Sequence, residues 1–435
     1  MEKLLWSISS TVSRESSMFR KLLSFDEAKQ ILRQNLSPKP IGVERVSLSE
    51  AHDRVLAQDV VAHIDIPPFI RSIVDGYAVK AADTFGASEE KPVCIRFCGQ
   101  VAVGESPNVV VEKGLAAEIA TGAPLPEGAD GVVMVEYTTR QGDNVFIRRP
   151  VSSGENIMEA GSDIRKGEKV LRKSQILSSR EIGVLAAIGL TEVTVYKRPK
   201  VAILSTGAEV VEPGKSLLPG KIYDINAHAL SAAVLESGGE PINLGIIPDK
   251  RDRLTRALEK ALDSADAVIT SGGVSVGPKD LTPQIVNTLG KPGVIISGIA
   301  VKPGKPTTIA VVDGKPVFSL PGHPTSSLFM FMVFVRPILL GFAGRNEETM
   351  PKLKAVSSTK MFPARGRRTF VMVNLTIDKI GTLLATPVPT GLSGAITTLA
   401  KADGFVEISE KQQFVDAGIE VDVYLFGKLR KTEAK

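Results

Sequence analysis

The sequence predicts a multidomain protein of the α/β plus β class. Its 435 residues allow about three domains at roughly 150 residues each. From residue 199 onward, short apolar strands alternate with helical patterns of about 10–15 residues, which is typical of βαβ units in a mostly parallel sheet with helices on both faces. Residues 61–165 and 346–435 show short alternating runs instead, and these predict two β-rich modules.

The first part of the chain predicts a disordered extension over 1–17 and then a discontinuous helical linker domain. One amphipathic helix is expected over 25–36 with Ser24 as its N-cap, and a second over 178–188. We expect these helices to pair across an inserted β-rich domain. The predicted boundaries are 18–60 with 166–198 for the linker domain and 61–165 for the insertion.

The α/β domain is predicted over 199–345 and a small β-barrel domain over 346–435. In the α/β domain the expected strands and helices alternate, at 201–204, 227–236, 242–247, 252–262 and 267–270. In the last domain, alternating runs at 370–375 and 419–425 predict strands of a small barrel or sandwich.

Composition narrows the function classes. Lys plus Arg exceed Asp plus Glu by only 53 − 48 = 5, which argues against nucleic acid as a partner. The most apolar run, 328–335, is far shorter than the roughly 20 residues of a membrane span. Cys94 and Cys98 cannot build a disulfide framework, and with no signal-peptide pattern they predict a cytoplasmic protein. Both are expected to be buried strand thiols.

Acidic and glycine-rich segments follow the predicted parallel strands, where ligands bind in open α/β sheets. Glycines let backbone N–H groups approach a phosphate closely. The acids would repel that phosphate unless they hold Mg²⁺, which prefers oxygen ligands. The alternative is that each acid caps a helix; we favour the metal for the three together. The acids are Glu209, Asp249 and Asp280, and the loop residues are Ser271, Gly272, Gly273, Ser275 and Gly277.

Further polar groups lie on turns. Lys302 and Lys305 flank a Pro-Gly turn, which suits anion capture, with two solvated lysines as the alternative. His323 precedes a helix-starting proline and is either a ligand contact or a turn residue. The loops that carry Asp75 and Thr121 are rigid and polar, but by themselves they define no chemistry.

Taken in order, these segments resemble the MoeA/gephyrin family of molybdopterin molybdotransferases. The resemblance covers about residues 24–425 and its motif order is highly specific. The matching segments are PPFIRSIVDGYAV (67–79), EIATGAPLPEGADGVVMVE (118–136), SGENIMEAGSDI (153–164), LSTGAEVVEPG (204–214), GKIYDINAH (220–228), SGGVSVGPKD (271–280), VKPGKP (301–306) and LPGHPTS (320–326).

The resemblance implies an elongated four-part protomer in an antiparallel homodimer, with an α/β domain similar to the molybdopterin adenylyltransferase fold. It implies that the linker domain serves dimerisation and that the active site joins the α/β domain of one protomer to the module carrying Asp75 of the other. The implied reaction inserts molybdate or tungstate into adenylylated molybdopterin, with Mg²⁺, and releases AMP.

The resemblance also implies roles for single residues. Glu209, Asp249 and Asp280 match the acids of the nucleotide and metal site, and Asp75 and Thr121 match the contribution of the facing protomer. The positions associated with the oxyanion are Lys302, Lys305, Arg367 and Ser393. Many bacterial relatives carry a lysine where this chain has Gly298, and we hypothesise that Arg71 and Arg368 supply the missing charge.

Two other functions stay open at this point. One is adenylylation of molybdopterin with ATP, although that activity would need only residues like 199–345. The other is a non-catalytic cofactor carrier or scaffold, which would need no intact acids. The expected partners are the pterin substrate and molybdate, a second copy of the chain, a molybdopterin adenylyltransferase and acceptor molybdoenzymes, with no nucleic acid and no membrane.

Overall fold

The computed structural model describes residues 22–273, 281–345, 350–389 and 397–427. The chain divides into two compact units. The smaller unit is Gly42–Tyr196, and the larger unit combines Met1–Ile41 with Lys197–Lys435. The predicted extension over 1–17 lies outside the described residues.

Eight α-helices occur in the described part of the chain. They are α1 Phe25–Asn35, α2 Ser179–Ala187, α3 Asn226–Glu236, α4 Arg251–Ser264, α5 Leu281–Leu289, α6 Pro324–Met330, α7 Arg336–Phe342 and α8 Thr397–Lys401. A π-helical turn, Phe331–Val335, joins α6 to α7.

The smaller unit is built on one six-stranded sheet and three two-stranded sheets. Its strands are β1 Val43–Ser47, β2 Val60–Val61, β3 Arg71–Ser72, β4 Gly76–Val79, β5 Val93–Val101, β6 Leu115–Ile119, β7 Gly131–Met134, β8 Thr138–Gln141, β9 Asn144–Ile147, β10 Ile157–Met158, β11 Lys169–Leu171 and β12 Glu192–Tyr196. The large sheet has the order β7-β4-β6-β5-β9-β8. Strands β1 and β2 pair with β12 and β11, so the segments expected to be a helical linker also contain paired strands.

The larger unit begins with a six-stranded sheet of order β16-β13-β17-β21-β20-β18. The strands of this unit are β13 Lys200–Thr206, β14 Val210–Val211, β15 Ile222–Tyr223, β16 Glu240–Ile247, β17 Ala267–Ser271, β18 Pro292–Ser297, β19 Val301–Lys302, β20 Thr308–Val312, β21 Lys315–Leu320, β22 Lys352–Ser357, β23 Arg368–Ile377, β24 Leu383–Pro387, β25 Gly404–Ile408 and β26 Glu420–Leu425. The first four strands of the sheet run parallel, as the βαβ pattern predicts.

Residues of the parallel strands alternate between the two faces of the sheet. Ile203 and Ile269 are fully buried with α1, α3, α6 and α7 on one face. Ala202 and Val268 are fully buried with α4 and α5 on the other. Because both faces are covered, the strands are apolar without interruption. The predicted three-layer α/β architecture is confirmed.

The last part of the larger unit is a closed five-stranded β-barrel. Its order is β23-β24-β22-β26-β25, and pairing between β23 and β25 closes it. Strand β19, from the α/β region, adds to β23 in parallel. The predicted small β-barrel is therefore confirmed. It adjoins the α/β layer through β19 and through Phe370 and Phe405, which pack in the same core as that layer.

Helix α1 begins where the sequence predicts but packs elsewhere. Ser24 and Glu27 form a reciprocal capping box. The buried face of α1, which includes Phe25 and Leu32, lies in the core of the larger unit, whereas Leu185 of α2 lies in a separate core of the smaller unit. The expected pairing of the two helices is wrong, because the apolar face of α1 is covered by the α/β layer. The domain boundaries themselves remain a prediction.

The helical stretch Pro324–Phe342 is longer than the apolar run in the sequence indicates. Its 19 residues are long and apolar enough to cross a membrane, yet 67% of the stretch is buried inside the protein. The helical stretch extends beyond the apolar run 328–335 because α6, the π turn and α7 are continuous. The stretch serves as the central helix of a core, with Phe329 and Phe334 buried.

Candidate functional site

A cavity of about 520 Å³ opens at the carboxyl ends of the parallel strands. This is the position where open α/β sheets bind ligands. Polar groups from three strand ends line it, together with an apolar lip from β14 and β15. The lining residues are Ser205, Thr206, Glu209, Val210, Ile222, Tyr223, Asp224, Ile225, Asn226, Ser271, Gly272, Pro306, Pro321, Gly322, His323 and Pro324.

The glycines after β17 are required by a close approach of two strand ends. At Gly272, where φ is +87°, a Cβ would lie 2.2 Å from the carbonyl oxygen of Thr206. At Gly273, where φ is +64°, it would lie 2.6 Å from the Thr206 Oγ1 and 3.8 Å from an Asp249 oxygen. The predicted glycine loop thus begins at the end of β17 and lies against the end of β13. A side chain at either glycine would fill this space.

Glu209 and Asp249 are close enough to influence each other. Partial desolvation, followed by the negative charge of Glu209, raises the pKa of Asp249 above its ordinary value. Both residues are exposed, and Glu209 lines the cavity. Two like charges close to each other favour the binding of a cation.

The predicted third acid, Asp280, lies outside the described residues, as do Ser275 and Gly277 of the same loop. Within 22–273, 281–345, 350–389 and 397–427, no group of three His, Cys, Asp or Glu side chains is placed to hold a metal. Of the three predicted metal ligands, Glu209 and Asp249 lie within the described residues, and their role as ligands remains a prediction.

Two cavity residues were missed as site candidates, although they lie in a motif that carried the resemblance. Asn226 donates from Nδ2 to the Ser271 Oγ at 2.7 Å and to the Gly322 carbonyl at 2.8 Å. Asp224 accepts from the backbone N–H of Ala227 at the start of α3. The Asp-x-Asn spacing before a helical pattern is an N-terminal signal that could have singled them out.

The segment with the Pro-Gly turn and its two lysines reaches this cavity through Pro306. Lys302 is exposed on β19, Lys305 is half-buried, and Pro306 lines the cavity. At Gly304, where φ is +107°, a Cβ would lie 2.2 Å from the Met330 sulfur of α6. The turn is therefore packed directly on α6, and a larger residue would displace it.

Arg367 and Arg368 follow one another at the start of β23 but differ in their surroundings. Arg368 binds both carboxylate oxygens of Asp26, at 2.9 and 2.7 Å. It also contacts Glu410 at 3.1 Å and Glu407 at 3.2 Å. Three carboxylates neutralise its charge, so the hypothesis that Arg368 replaces a lysine at Gly298 is wrong. Ser393, the other predicted pocket residue of the barrel, lies outside the described residues.

In the smaller unit, Asp75 and Thr121 are brought together as the resemblance implies. Asp75 accepts hydrogen bonds from the Thr121 backbone N–H at 2.7 Å and from its hydroxyl at 2.9 Å. The backbone bond, and then the hydroxyl bond, lower the pKa of Asp75. Asp75 lines a cavity of about 340 Å³, and a Cβ at Gly76 would lie 1.9 Å from the Val133 carbonyl oxygen.

Other predicted groups of the smaller unit are placed differently. Arg71 donates to the Met158 sulfur at 3.4 Å. Cys94 and Cys98 lie on strand β5 as expected, but Cys94 is exposed and only Cys98 is partly buried. Burial raises the pKa of the Cys98 thiol. The expectation of two buried thiols is wrong for Cys94, because it lies at an outward position of its strand.

Three family models match successive parts of the chain. They are the MoeA N-terminal region (domains I and II) over 23–189, a probable molybdopterin-binding domain over 202–341, and the MoeA C-terminal region (domain IV) over 354–426. The second model spans the α/β sheet and its strand-end cavity. Fold and site together define a protein of molybdopterin metabolism.

Relatives narrow this class further. The chain is 35% identical over 383 residues to molybdopterin molybdenumtransferase 2 of Mycobacterium tuberculosis, covering 87% of this chain and 94% of the relative. It is 34% identical over 385 residues to the molybdopterin molybdenumtransferase of Staphylococcus aureus, covering 87% and 90%. A crystal structure of a molybdopterin biosynthesis MoeA protein from Pyrococcus horikoshii superposes with a TM-score of 0.80 at 42% identity, covering 94% and 100%. The chain belongs to the MoeA family of molybdopterin molybdenumtransferases, which are transferases of molybdenum cofactor biosynthesis.

Proposed function

We propose that this chain inserts molybdate or tungstate into adenylylated molybdopterin and releases AMP. The observation that carries the proposal is that Glu209, directly before β14, and Pro306, directly after Lys305, line the same cavity. A phosphoanhydride substrate needs a cation beside its phosphates, and a metal oxyanion needs cationic donors. The acid Glu209 lines the cavity and Lys305 directly precedes its lining residue Pro306, so both kinds of group lie at the carboxyl end of one sheet.

The acidic pair Glu209 and Asp249 fits Mg²⁺. The pKa of Asp249 is raised by desolvation and by Glu209, and a divalent ion would supply a counter-charge to both carboxylates. Glu209 and Asp249, with Asp280, would hold the ion. When bound, Mg²⁺ neutralises charge on the phosphoanhydride and on departing AMP. The chain's own part is to orient the phosphates over the backbone N–H of Gly273, since the Gly272 N–H donates to the Leu320 carbonyl at 3.4 Å.

The basic turn fits the oxyanion. Lys302 and Lys305 would hold molybdate by charge, and Arg367 would add a planar pair of N–H donors. Ser393 completes the proposed set. In the reaction, water cleaves the phosphoanhydride into AMP and the phosphate that stays on molybdopterin, and the two dithiolene thiols replace one oxo ligand of molybdate, which leaves with their protons as water. The Asn226 side chain, fixed by two hydrogen bonds, adds a rigid polar wall to the cavity.

Release of AMP from adenylylated molybdopterin, molybdate and Mg²⁺ tests this proposal. We expect Asp249→Asn to lower kcat on the order of 100-fold, because it removes a charged ligand of the ion. The matched control is Asp252→Asn on the exposed first turn of α4, which should release AMP at the wild-type rate. Equal rates for both variants, or no AMP from the wild type, would refute the proposal. Adenylylation of molybdopterin by ATP is the parallel reaction, and we expect none.

The proposal includes a homodimer in which Asp75 and Thr121 of one copy serve the cavity of the other. Mixing two inactive variants, Asp75→Ala and Asp249→Ala, tests it. Random exchange of subunits gives half heterodimers with one intact site in two, so about a quarter of the wild-type sites should be active. No recovered activity after exchange would contradict a shared site.

The same proposal places the protein in the cytoplasm, between a molybdopterin adenylyltransferase that supplies its substrate and molybdoenzymes that accept its product. Competition between molybdate and tungstate at equal concentration would show which oxyanion is transferred. Co-purification with an adenylyltransferase, lost when the cavity residues are replaced, would support the first partner.

A further inference from the structure

A tight turn immediately before β23 carries Arg367. The turn runs from Ala364 to Arg367 and is closed by a hydrogen bond from the Arg367 N–H to the Ala364 carbonyl, at 3.1 Å. Its third residue, Gly366, has φ of +65°, as a type II turn requires at that position. The backbone at Arg367 is therefore fixed by local geometry before the strand begins.

A buried hydroxyl locks this turn from inside the barrel. The side chain of Thr369 is 4% exposed. Its Oγ1 accepts from the Ala364 N–H at 2.9 Å and donates to the Arg367 carbonyl at 3.2 Å. One hydroxyl thus ties both ends of the turn to strand β23, and it uses its donor and an acceptor lone pair to do so.

The same threonine is the strand neighbour of Lys302. In the parallel pairing of β19 with β23, Lys302 is opposite Thr369 and Val301 is opposite Arg368. The Arg368 N–H donates to the Ala300 carbonyl at 3.0 Å and fixes this register. Paired residues of neighbouring strands point to the same face, so Lys302 and Thr369 share one face while Arg368 is on the other.

We infer that Thr369 is a positioning residue of the oxyanion pocket. It holds the turn that carries Arg367 and stands beside Lys302, so it sets the spacing between two cations from distant parts of the chain. Arg368, on the opposite face, anchors the same strand start to α1 through Asp26. This inference rests on the proposed function, because it assigns oxyanion binding to Lys302 and Arg367.

The test compares three variants in the AMP-release assay with the full-length protein. Thr369→Val keeps the shape and removes the hydroxyl, and we expect it to raise the KM for molybdate about five- to tenfold with kcat changed less than about twofold. Thr369→Ser keeps the hydroxyl and should restore a KM near the wild-type value. The KM for adenylylated molybdopterin should stay unchanged in both.

A second route disturbs the turn without touching Thr369. A Cβ at Gly366 meets nothing within 4 Å, so Gly366→Ala acts only through its backbone angle. We expect Gly366→Ala to raise the KM for molybdate as Thr369→Val does, and Gly366→Asn, which tolerates positive φ, to do so less. This pair keeps the inference testable if Thr369→Val does not fold.

The outcomes separate this inference from the proposed function. If Arg367→Ala leaves the KM for molybdate unchanged, the proposed pocket is wrong. If Arg367→Ala raises it and Thr369→Val does not, only the positioning role is refuted. Equal impairment by Thr369→Val and Thr369→Ser, or a parallel rise in the KM for both substrates, would also overturn it, since those results indicate lost packing rather than a lost hydroxyl.

Discussion

Arg368→Gln is expected to destabilise the larger unit because it removes a guanidinium that joins α1 to the barrel. The Arg368 side chain is 15% exposed and lies among the carboxylates of Asp26, Glu407 and Glu410. It also lies 5.1 Å from the ring of Phe25. Glutamine is shorter and carries no charge, so the three carboxylates would lose their shared partner.

The size of the expected loss in stability depends on how exposed the three carboxylates are. Breaking a fully buried pair costs about 3–5 kcal/mol, whereas an exposed pair is worth about 0–1 kcal/mol. Asp26 is 69% exposed, and Glu407 and Glu410 are each 32% exposed, so solvent screens much of the interaction. We expect a loss of about 2 kcal/mol in the free energy of unfolding and a fall in Tm of about 4–8 °C.

Urea denaturation followed by circular dichroism measures this loss. The matched control is Arg45→Gln, which breaks a pair with Glu192 whose side chains are 73% and 49% exposed, and which should cost under about 1 kcal/mol. A double-mutant cycle with Asp26→Asn should give a coupling energy of about 1 kcal/mol. If Arg368→Gln costs no more than Arg45→Gln, or the coupling is zero, the reasoning is refuted.

The same variant should change the pH dependence of stability. The Glu410 backbone N–H, and then Arg368, hold the pKa of the Glu410 carboxyl below its ordinary value. A lowered pKa contributes stability that is present above the ordinary glutamate pKa and is lost as the pH falls through the lowered one. Arg368→Gln should therefore flatten the acid limb of a plot of stability against pH, and an unchanged acid limb would contradict this assignment.

Three further predictions concern the two cavities. Gly76→Ala should prevent folding of the smaller unit, since its Cβ would overlap a backbone carbonyl; a soluble variant with the wild-type Tm would contradict this. Thr121→Val should raise the pKa of Asp75 in an NMR titration, because one of two hydrogen bonds to the carboxylate is lost. Glu209→Gln should lower the pKa of Asp249 toward its ordinary value. A carboxylate with a raised pKa lowers stability at pH values above its ordinary pKa, so Glu209→Gln should raise the Tm at neutral pH without Mg²⁺. The further rise in Tm when Mg²⁺ is added should be smaller in this variant than in the wild type. An equal rise in both proteins would argue against this cation site.

Local signals in the sequence determined much of the fold and the general place of the site. Ser24 and Glu27 have the spacing of a capping box, and α1 begins there. Apolar strands alternating with helical patterns gave the α/β layer, because a parallel strand buried on both faces must be apolar throughout. The carboxyl ends of such strands meet at one edge, and there Glu209 influences Asp249 and lines the same cavity as Gly272.

Only the tertiary structure decided what depends on contacts between distant segments. The period of α1 defines its apolar face but not the surface that covers it, so its packing in the larger unit could not be predicted from its sequence. Arg367 and Arg368 are adjacent in the chain. Arg367 ends the turn that Thr369 holds, whereas Arg368 is neutralised by three carboxylates. Strand register places neighbouring side chains on opposite faces, and each face meets residues that are hundreds of positions away in the chain.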